Sequence, residues 1–255
     1  MTISNKIMLI LASTVSMSSM AAEFAFDRPG EGLSTGITPV GSVAWEQGLP
    51  SATYTETRLD GGKAKTLSLN GDMLLRAGIA KDLELRLGWQ GPAWTQTKYL
   101  GEKEDDSGLG DVSIGVKKAI DLDDDKMSMA VLAEIQFATG NEGFSEEDDK
   151  YSIGTSVEYK FNDLVTTGIT MNYAMQDSKA SITAIPTLGY QIAGKLSGFS
   201  EFIYNKTESK SYEYGLGSGL IYALNDRTQL DASIGVDLEG RDRSYNAGFG
   251  VAFLF

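Results

Sequence analysis

The chain has 255 residues, 42% of them hydrophobic, and a formal net charge of −13 at pH 7. It contains neither histidine nor cysteine, so the commonest general base, the commonest metal ligand and any thiol redox chemistry are excluded. The acidic balance argues against binding to a phosphate backbone, and we expect no nucleic-acid partner. We also expect no cofactor, no bound metal and no catalytic residue.

The first 22 residues have the pattern of a secretory signal peptide. Lys6 gives a basic start, residues 7–15 form an apolar core, and small residues follow. The small residues suit cleavage after Ala21, with cleavage after Ala22 as the alternative. No run of about 18 apolar residues occurs anywhere in the chain, which excludes a transmembrane helix.

Residues 23–39 are too irregular in sequence for a strand. Two interpretations remain open for them, a disordered periplasmic tail or a plug folded into a barrel lumen. Asp27 and Arg28 offer partners for interior charges, and Pro29 and Gly30 follow them directly. We favour the plug, formed around these four residues.

From residue 40 to residue 255, apolar and polar residues alternate with the period of a strand. In residues 228–238, one face carries Leu230, Ile234 and Val236, and the other carries Asp231 and Asp237. The same alternation predicts twelve strands, at 40–56, 64–80, 82–97, 109–120, 126–139, 150–161, 164–176, 180–193, 196–206, 210–223, 227–239 and 242–255.

The connections between these strands alternate in length. Short turns follow the even-numbered strands, whereas mostly longer and more charged connections follow the odd-numbered ones, notably 98–110 and 140–150. This is typical of a transmembrane antiparallel β-barrel in an outer membrane, with both termini on the periplasmic side. A soluble β-sandwich is the alternative, but its outward faces should be richer in charge than these.

The carboxyl terminus favours the membrane barrel. Counting back from the end, apolar residues occupy alternate positions at Phe255, Phe253, Val251 and Phe249. This pattern resembles the signature that the barrel-assembly machinery of Gram-negative outer membranes reads. We therefore expect that machinery to be a partner during biogenesis, and outer-membrane lipid and lipopolysaccharide to surround the folded barrel.

Several short motifs resemble a known family. They are residues 27–30 (DRPG), 83–89 (LELRLGW), 108–112 (GLGDV) and 229–231 (QLD). Together they resemble the family of outer-membrane transporters named for the MetA pathway of phenol degradation, over residues 26–255. The resemblance implies an outer-membrane barrel that passes aromatic or other small organic molecules.

Charged residues of both signs fall on the predicted inner face. They are Glu46, Asp72, Arg76, Glu84, Arg86, Asp111, Lys117, Glu134, Glu201 and Asp231. In a narrow lumen such charges should pair, because an unpaired charge away from water is costly. The group is either a structural ion-pair network, a lining that selects solutes, or both.

The sequence thus predicts a passive outer-membrane channel for small organic solutes. A structural or surface-interaction barrel with a sealed lumen is the main alternative, and its acidic loops could bind divalent cations. An outer-membrane enzyme is a weaker alternative, because barrel enzymes typically use histidine as a base and this chain has none.

Overall fold

The computed structural model describes residues 24–239 and 242–255, so the predicted signal peptide lies outside the described residues. Within these residues the secondary structure consists of fifteen antiparallel strands. They are β1 Val43–Leu59, β2 Gly62–Asn70, β3 Met73–Ala80, β4 Leu83–Trp89, β5 Pro92–Tyr99, β6 Glu102–Leu109, β7 Val112–Ile120, β8 Met127–Phe137, β9 Lys150–Asn162, β10 Val165–Gln176, β11 Lys179–Ala193, β12 Leu196–Thr207, β13 Tyr212–Asn225, β14 Thr228–Glu239 and β15 Asp242–Leu254.

These strands form a closed barrel with twelve strand positions, which we call staves. This confirms the predicted fold. Three staves are interrupted, so that β2 with β3, β4 with β5, and β6 with β7 each make one stave. The long strand β1 shows this directly, since it pairs with both β2 and β3. The barrel closes where β1 pairs with β15, from Ala44 opposite Leu254 to Glu56 opposite Arg243.

The three interruptions lie side by side at glycines, and the sequence analysis did not predict them. The Gly71 amide donates to the Pro92 carbonyl at 3.1 Å, and the Gly110 amide donates to the Gly91 carbonyl at 2.8 Å. A Cβ at Gly91 would lie 1.9 Å from the Gly71 oxygen, and Gly91 has a φ of +79°. Only glycine allows neighbouring staves to bend together at this point.

The five short turns are found as predicted, but most connections at the other end of the barrel are tight rather than long. Residues 98–110 were expected to be a charged loop, and they instead form most of a β5–β6 hairpin that turns at Leu100 and Gly101. Its acidic strand, β6, is almost wholly exposed, so charge on both faces costs little there. Only residues 138–149 make a long irregular connection among the described ones.

The two faces of the barrel wall differ in chemistry as the alternation predicted. Large apolar side chains face outward and are exposed in the isolated chain, including Ile153, Leu216, Ile234 and Phe249. Buried groups on the inner face are mostly polar or charged. In the part of the chain that the structure describes, no helix has the length and hydropathy needed to cross a bilayer.

The outward face gives a depth-dependent prediction. Ile234 lies near the middle of β14 and is 67% exposed, whereas Leu230 lies four residues closer to the short-turn end. We expect Ile234→Arg to lower the free energy of unfolding in lipid vesicles by about 2–4 kcal/mol, because it places a cation near the bilayer midplane. Urea titration followed by tryptophan fluorescence measures this loss.

Leu230→Arg is the matched control, since it adds the same charge near the interface. We expect it to cost only about 0–1 kcal/mol. Equal losses for the two variants would contradict the assignment of this face to lipid.

Candidate functional site: the barrel lumen

The barrel lumen contains residues 24–38, which together with residues 39–42 that join them to β1 we call the N-terminal segment. Its bonding partners lie on the inner faces of strands all around the barrel, from β1 to β14. The lumen and this segment together form the candidate site.

One wall of the lumen carries three cations on neighbouring strands. Arg76 on β3, Arg86 on β4 and Lys117 on β7 have at most 7% exposed side chains. Glu84 on β4 lies among them, 3.0 Å from both arginines and 3.7 Å from Lys117. Glu46 on β1 lies 3.0 Å from Arg76. These five residues of the predicted lumen network therefore form one buried cluster.

Asp27 of the N-terminal segment enters this cluster. It forms ion pairs with Arg86, with Arg76 at 3.6 Å and with Lys117 at 3.5 Å, and it accepts a hydrogen bond from the Ser34 hydroxyl. Burial raises the pKa of the Asp27 carboxyl, but the three cations outweigh burial and hold that pKa well below its usual range. Asp27 is therefore a carboxylate that completes the charge balance of the wall cations.

Arg28 carries a positive charge to two other wall carboxylates, one beside β3 and one on β14. Its guanidinium donates to Asp72 at 3.0 Å and to Asp231 on β14 at 3.4 Å. The side chain lies across Gly250, where a Cβ would be 2.2 Å from Arg28 Nε. Two more predicted lumen residues, Asp72 and Asp231, are thus joined through the segment rather than to each other.

Wall oxygens also bind the main chain of the N-terminal segment. Glu46 accepts from the Arg28 amide at 2.8 Å, and Glu84 accepts from the Thr38 amide at 2.8 Å. Three further side chains accept from amides of the segment: Glu201 from Glu31 at 3.1 Å, Thr170 from Leu33 at 3.0 Å, and Glu158 from Thr35 at 3.0 Å. The backbone amides of this irregular segment thereby find hydrogen-bond acceptors in the lumen without strand pairing.

Wall donors bind the carbonyl groups of the same segment. Arg76 donates to the Ala25 carbonyl at 2.8 Å and to the Gly36 carbonyl at 2.9 Å. Lys117 also donates to the Gly36 carbonyl, at 2.8 Å. The cation cluster therefore holds the segment through both its main chain and Asp27.

Pro29 and Gly30 lie at the far side of the lumen from the cation cluster. A Cβ at Gly30 would be 3.0 Å from a carboxylate oxygen of Glu201 and 3.3 Å from the ring of Phe199. Both of these side chains lie on β12, and the wall makes room for them with glycine at Gly217 and Gly219 on β13. The segment is therefore in close contact with this wall as well.

Three cavities lie in series along the lumen. The first, about 400 Å³, reaches the short-turn end at Asp163 and Gln191, and a second of about 280 Å³ begins beyond residues 29–31. Pro29, Phe199 and Glu201 line both. The third, about 310 Å³, shares Thr183, Ile203 and Asp237 with the second and lies toward the hairpin end. Residues 29–31 thus lie between the two ends of the lumen.

Three predicted lumen residues do not join the charge network. Glu201 accepts hydrogen bonds from the Glu31 amide but forms no ion pair among the described residues. Asp111 is buried, but it accepts hydrogen bonds from the Thr139, Gly140 and Glu146 amides and from the Ser145 hydroxyl, so it orders the β8–β9 connection. Glu134 faces the lumen without an ion pair to any of the residues described. The predicted network is therefore smaller than the set of inward charges.

Several carboxyl groups outside the predicted set also line the lumen, among them Glu158 and Asp237. Glu158 on β9 binds the Thr35 amide, and Asp237 on β14 lines the second and third cavities. Both share the alternation that selects their neighbours, since Glu158 lies two residues from buried Ser156. Strand parity predicts both positions, and in the sequence it already places Asp237 on the same face as Asp231.

The predicted assembly signal lies on the last strand. Phe249, Val251 and Phe253 alternate along β15, and Phe253 stacks on Trp45 of β1 with ring centroids 5.8 Å apart. The Phe255 amide donates to the Val43 carbonyl at 2.8 Å, so the terminal residue takes part in closing the barrel. Recognition by the assembly machinery stays a prediction.

Comparison with known families places this lumen among related barrels. Residues 26–255 match the model of the family described as MetA-pathway of phenol degradation. The chain belongs to this family. The match begins at Phe26, so the family covers most of the N-terminal segment as well as the whole barrel. No curated protein matches the sequence.

Solved outer-membrane barrels share the fold of this family member. The COG4313 outer membrane channel from Pseudomonas putida F1 is similar with a TM-score of 0.68 and 14% identity, over 89% of this chain and 99% of the channel. The transport unit of the autotransporter AIDA-I from Escherichia coli gives 0.57 and 10%, over 92% and 94%. The KdgM porin, solved with a disordered oligogalacturonate, gives 0.52 and 11%, over 80% and 98%. At these identities the likeness concerns the fold.

The buried cluster gives a stability prediction. Arg76→Met leaves the Glu46 carboxylate buried without its cation and removes the hydrogen bonds that Arg76 donates to two carbonyl groups of the N-terminal segment. Removing one partner of a buried ion pair typically costs about 3–5 kcal/mol, and we expect the free energy of unfolding to fall by about that amount. Urea unfolding of the refolded barrel in detergent micelles measures it.

Arg227→Met in an exposed turn removes the same charge and serves as the control. We expect that variant to stay within about 0.5 kcal/mol of the unmodified barrel. A loss at Arg76 no larger than at Arg227 would show that the cluster adds nothing to stability.

Proposed function

We propose that this protein is a passive outer-membrane channel for small organic solutes and that its N-terminal segment is a plug. The observation that carries the proposal is the series of lumen cavities interrupted at residues 29–31. Because the barrel wall is continuous around them, displacing the segment would join the cavities into one path. The predicted signal peptide and assembly signal support a location in the outer membrane.

The chemistry of the lumen supports transport rather than catalysis. The chain has no histidine, and the charged groups of the cation cluster are committed to one another. Among the described residues, no group of three or more acidic side chains is placed to hold a metal ion. The similar structures named above include a channel and a porin, which supports passive passage. The family description supports aromatic compounds as the first solutes to test.

A sealed structural barrel is the second candidate. The observation in its favour is that the side chains of Arg76, Lys117 and Glu84 are fully buried in a closed network. In that case, the segment would be a permanent part of the barrel core. Removal of the segment separates the two candidates.

Deletion of residues 24–38 is expected to open the pore. In planar bilayers, we expect rare or no conductance steps from the full-length barrel and frequent discrete steps from the deletion variant. Liposome swelling with phenol-sized aromatic solutes should show the same order. The physical reason is that the deletion removes every described contact of residues 29–31 across the lumen.

The double variant Asp27→Asn/Arg28→Gln keeps the chain length and removes both charged anchors. We expect intermittent openings from it, since the main-chain hydrogen bonds remain. A deletion variant that is folded, as judged by heat-modifiable migration, yet electrically silent would favour the sealed barrel. Equal conductance of the full-length protein and the deletion variant would show that the segment does not close the lumen.

A further inference from the structure

We propose that the lumen, once the N-terminal segment has left it, selects cations, and that its preferred solutes are small organic cations carrying an ammonium group. This inference rests on the proposed function, because it concerns the solute class of the same lumen.

The wall groups that bond the segment are unequal in charge. Six of them are carboxylates and three are cations among the residues described: Glu46, Asp72, Glu84, Glu158, Glu201 and Asp231 against Arg76, Arg86 and Lys117. Asp237 adds a further carboxyl group to the second and third cavities. An open lumen with this lining is negative. Negative charge along a pore excludes anions and admits cations.

Three carboxylates that form no ion pair with a wall cation lie on the part of the wall from β9 to β14. The three cations share β3, β4 and β7 with Glu84, so much of their charge is compensated within the wall. Glu158 on β9 and Glu201 on β12 form no ion pair within the described part of the chain, and Asp231 on β14 pairs only with Arg28. Removing the segment therefore leaves these three carboxyl groups without an ion pair to any described residue of the wall.

The N-terminal segment shows what these carboxyl groups bind. Arg28 places a guanidinium against Asp231, while the Glu31 and Thr35 amides donate to Glu201 and Glu158. In each case the bound group is a cation or an N–H donor. An ammonium group supplies both, as a positive charge with several N–H donors.

The first cavity adds an apolar surface to the same carboxyl groups. Its volume of about 400 Å³ suits a small organic molecule, and it is lined by Glu158 and Glu201 together with the rings of Phe199 and Tyr190. Aromatic faces attract ammonium groups and pack against carbon skeletons. A primary amine on a small ring or short chain fits both features, whereas an anion meets two carboxylates.

The deletion variant lacking residues 24–38 provides the test. Its reversal potential is recorded in a KCl gradient and again with benzylammonium chloride in place of KCl. We expect a several-fold preference for K⁺ over Cl⁻, and a benzylammonium current that the same gradient confirms as cationic. Adding Glu158→Gln and Glu201→Gln to the deletion should remove most of this preference without removing conductance.

The matched control adds Glu56→Gln and Asp105→Asn to the same deletion. These residues lie on the exposed β1–β2 and β5–β6 hairpins, and neither lines the three cavities, so two charges are lost outside the lumen. We expect that variant to keep the selectivity of the parent deletion. Equal losses of selectivity in the control and in the Glu158/Glu201 variant would overturn the assignment to these carboxylates.

The outcomes distinguish this inference from the proposed function. Conducting pores that prefer Cl⁻, or that show no preference, overturn cation selectivity and leave the channel intact. Folded but silent pores overturn the channel, and cation selectivity with it. If the deletion fails to fold, the same recordings are made on Asp27→Asn/Arg28→Gln, which retains the full chain.

Discussion

The buried guanidinium of Arg76 constrains the rest of the lumen. The N–H donors of a fully buried guanidinium must find acceptors within the protein. The acceptors for Arg76 are Glu46, Glu84 and two carbonyl groups of the N-terminal segment. Wall and segment therefore form one hydrogen-bonded network. Any movement of the segment must replace these bonds with water, so the closed arrangement is specific.

The wall is shaped to the segment as well as charged for it. A Cβ at Gly48 would meet Asp72, one at Gly78 would lie 2.2 Å from the Pro39 carbonyl, and one at Gly250 would overlap Arg28. A barrel of twelve strands is wider than the eight-stranded class that side chains alone can fill, and here an irregular chain occupies the additional space. Small residues on the wall allow that chain to approach the wall at these points.

Alternation in the sequence was enough to predict the barrel, its closure and the inward position of most charges. It could not predict that residues 102–109 form a strand, because charge on both faces is compatible with a hairpin only where the strand leaves the membrane. It could not predict the line of Gly71, Gly91 and Gly110 either, since that line exists only once three staves are in register. Ion pairs such as that of Asp27 with Lys117 could not be predicted for the same reason. They depend on how distant parts of the chain are placed in the folded barrel.

The way the segment is held bears on how it could be displaced. Much of its bonding is through main-chain amides and carbonyls. Among the described residues, its ion pairs with the wall are made by Asp27 and Arg28. The segment is also covalently joined to β1, which gives it an effective concentration at the wall on the order of millimolar or higher. A dilute solute that competes for a single wall carboxylate cannot overcome that advantage. Opening therefore requires a change that weakens several of these contacts together, and the shared cluster of Arg76, Glu84 and Lys117 is where such a change would act on most of them.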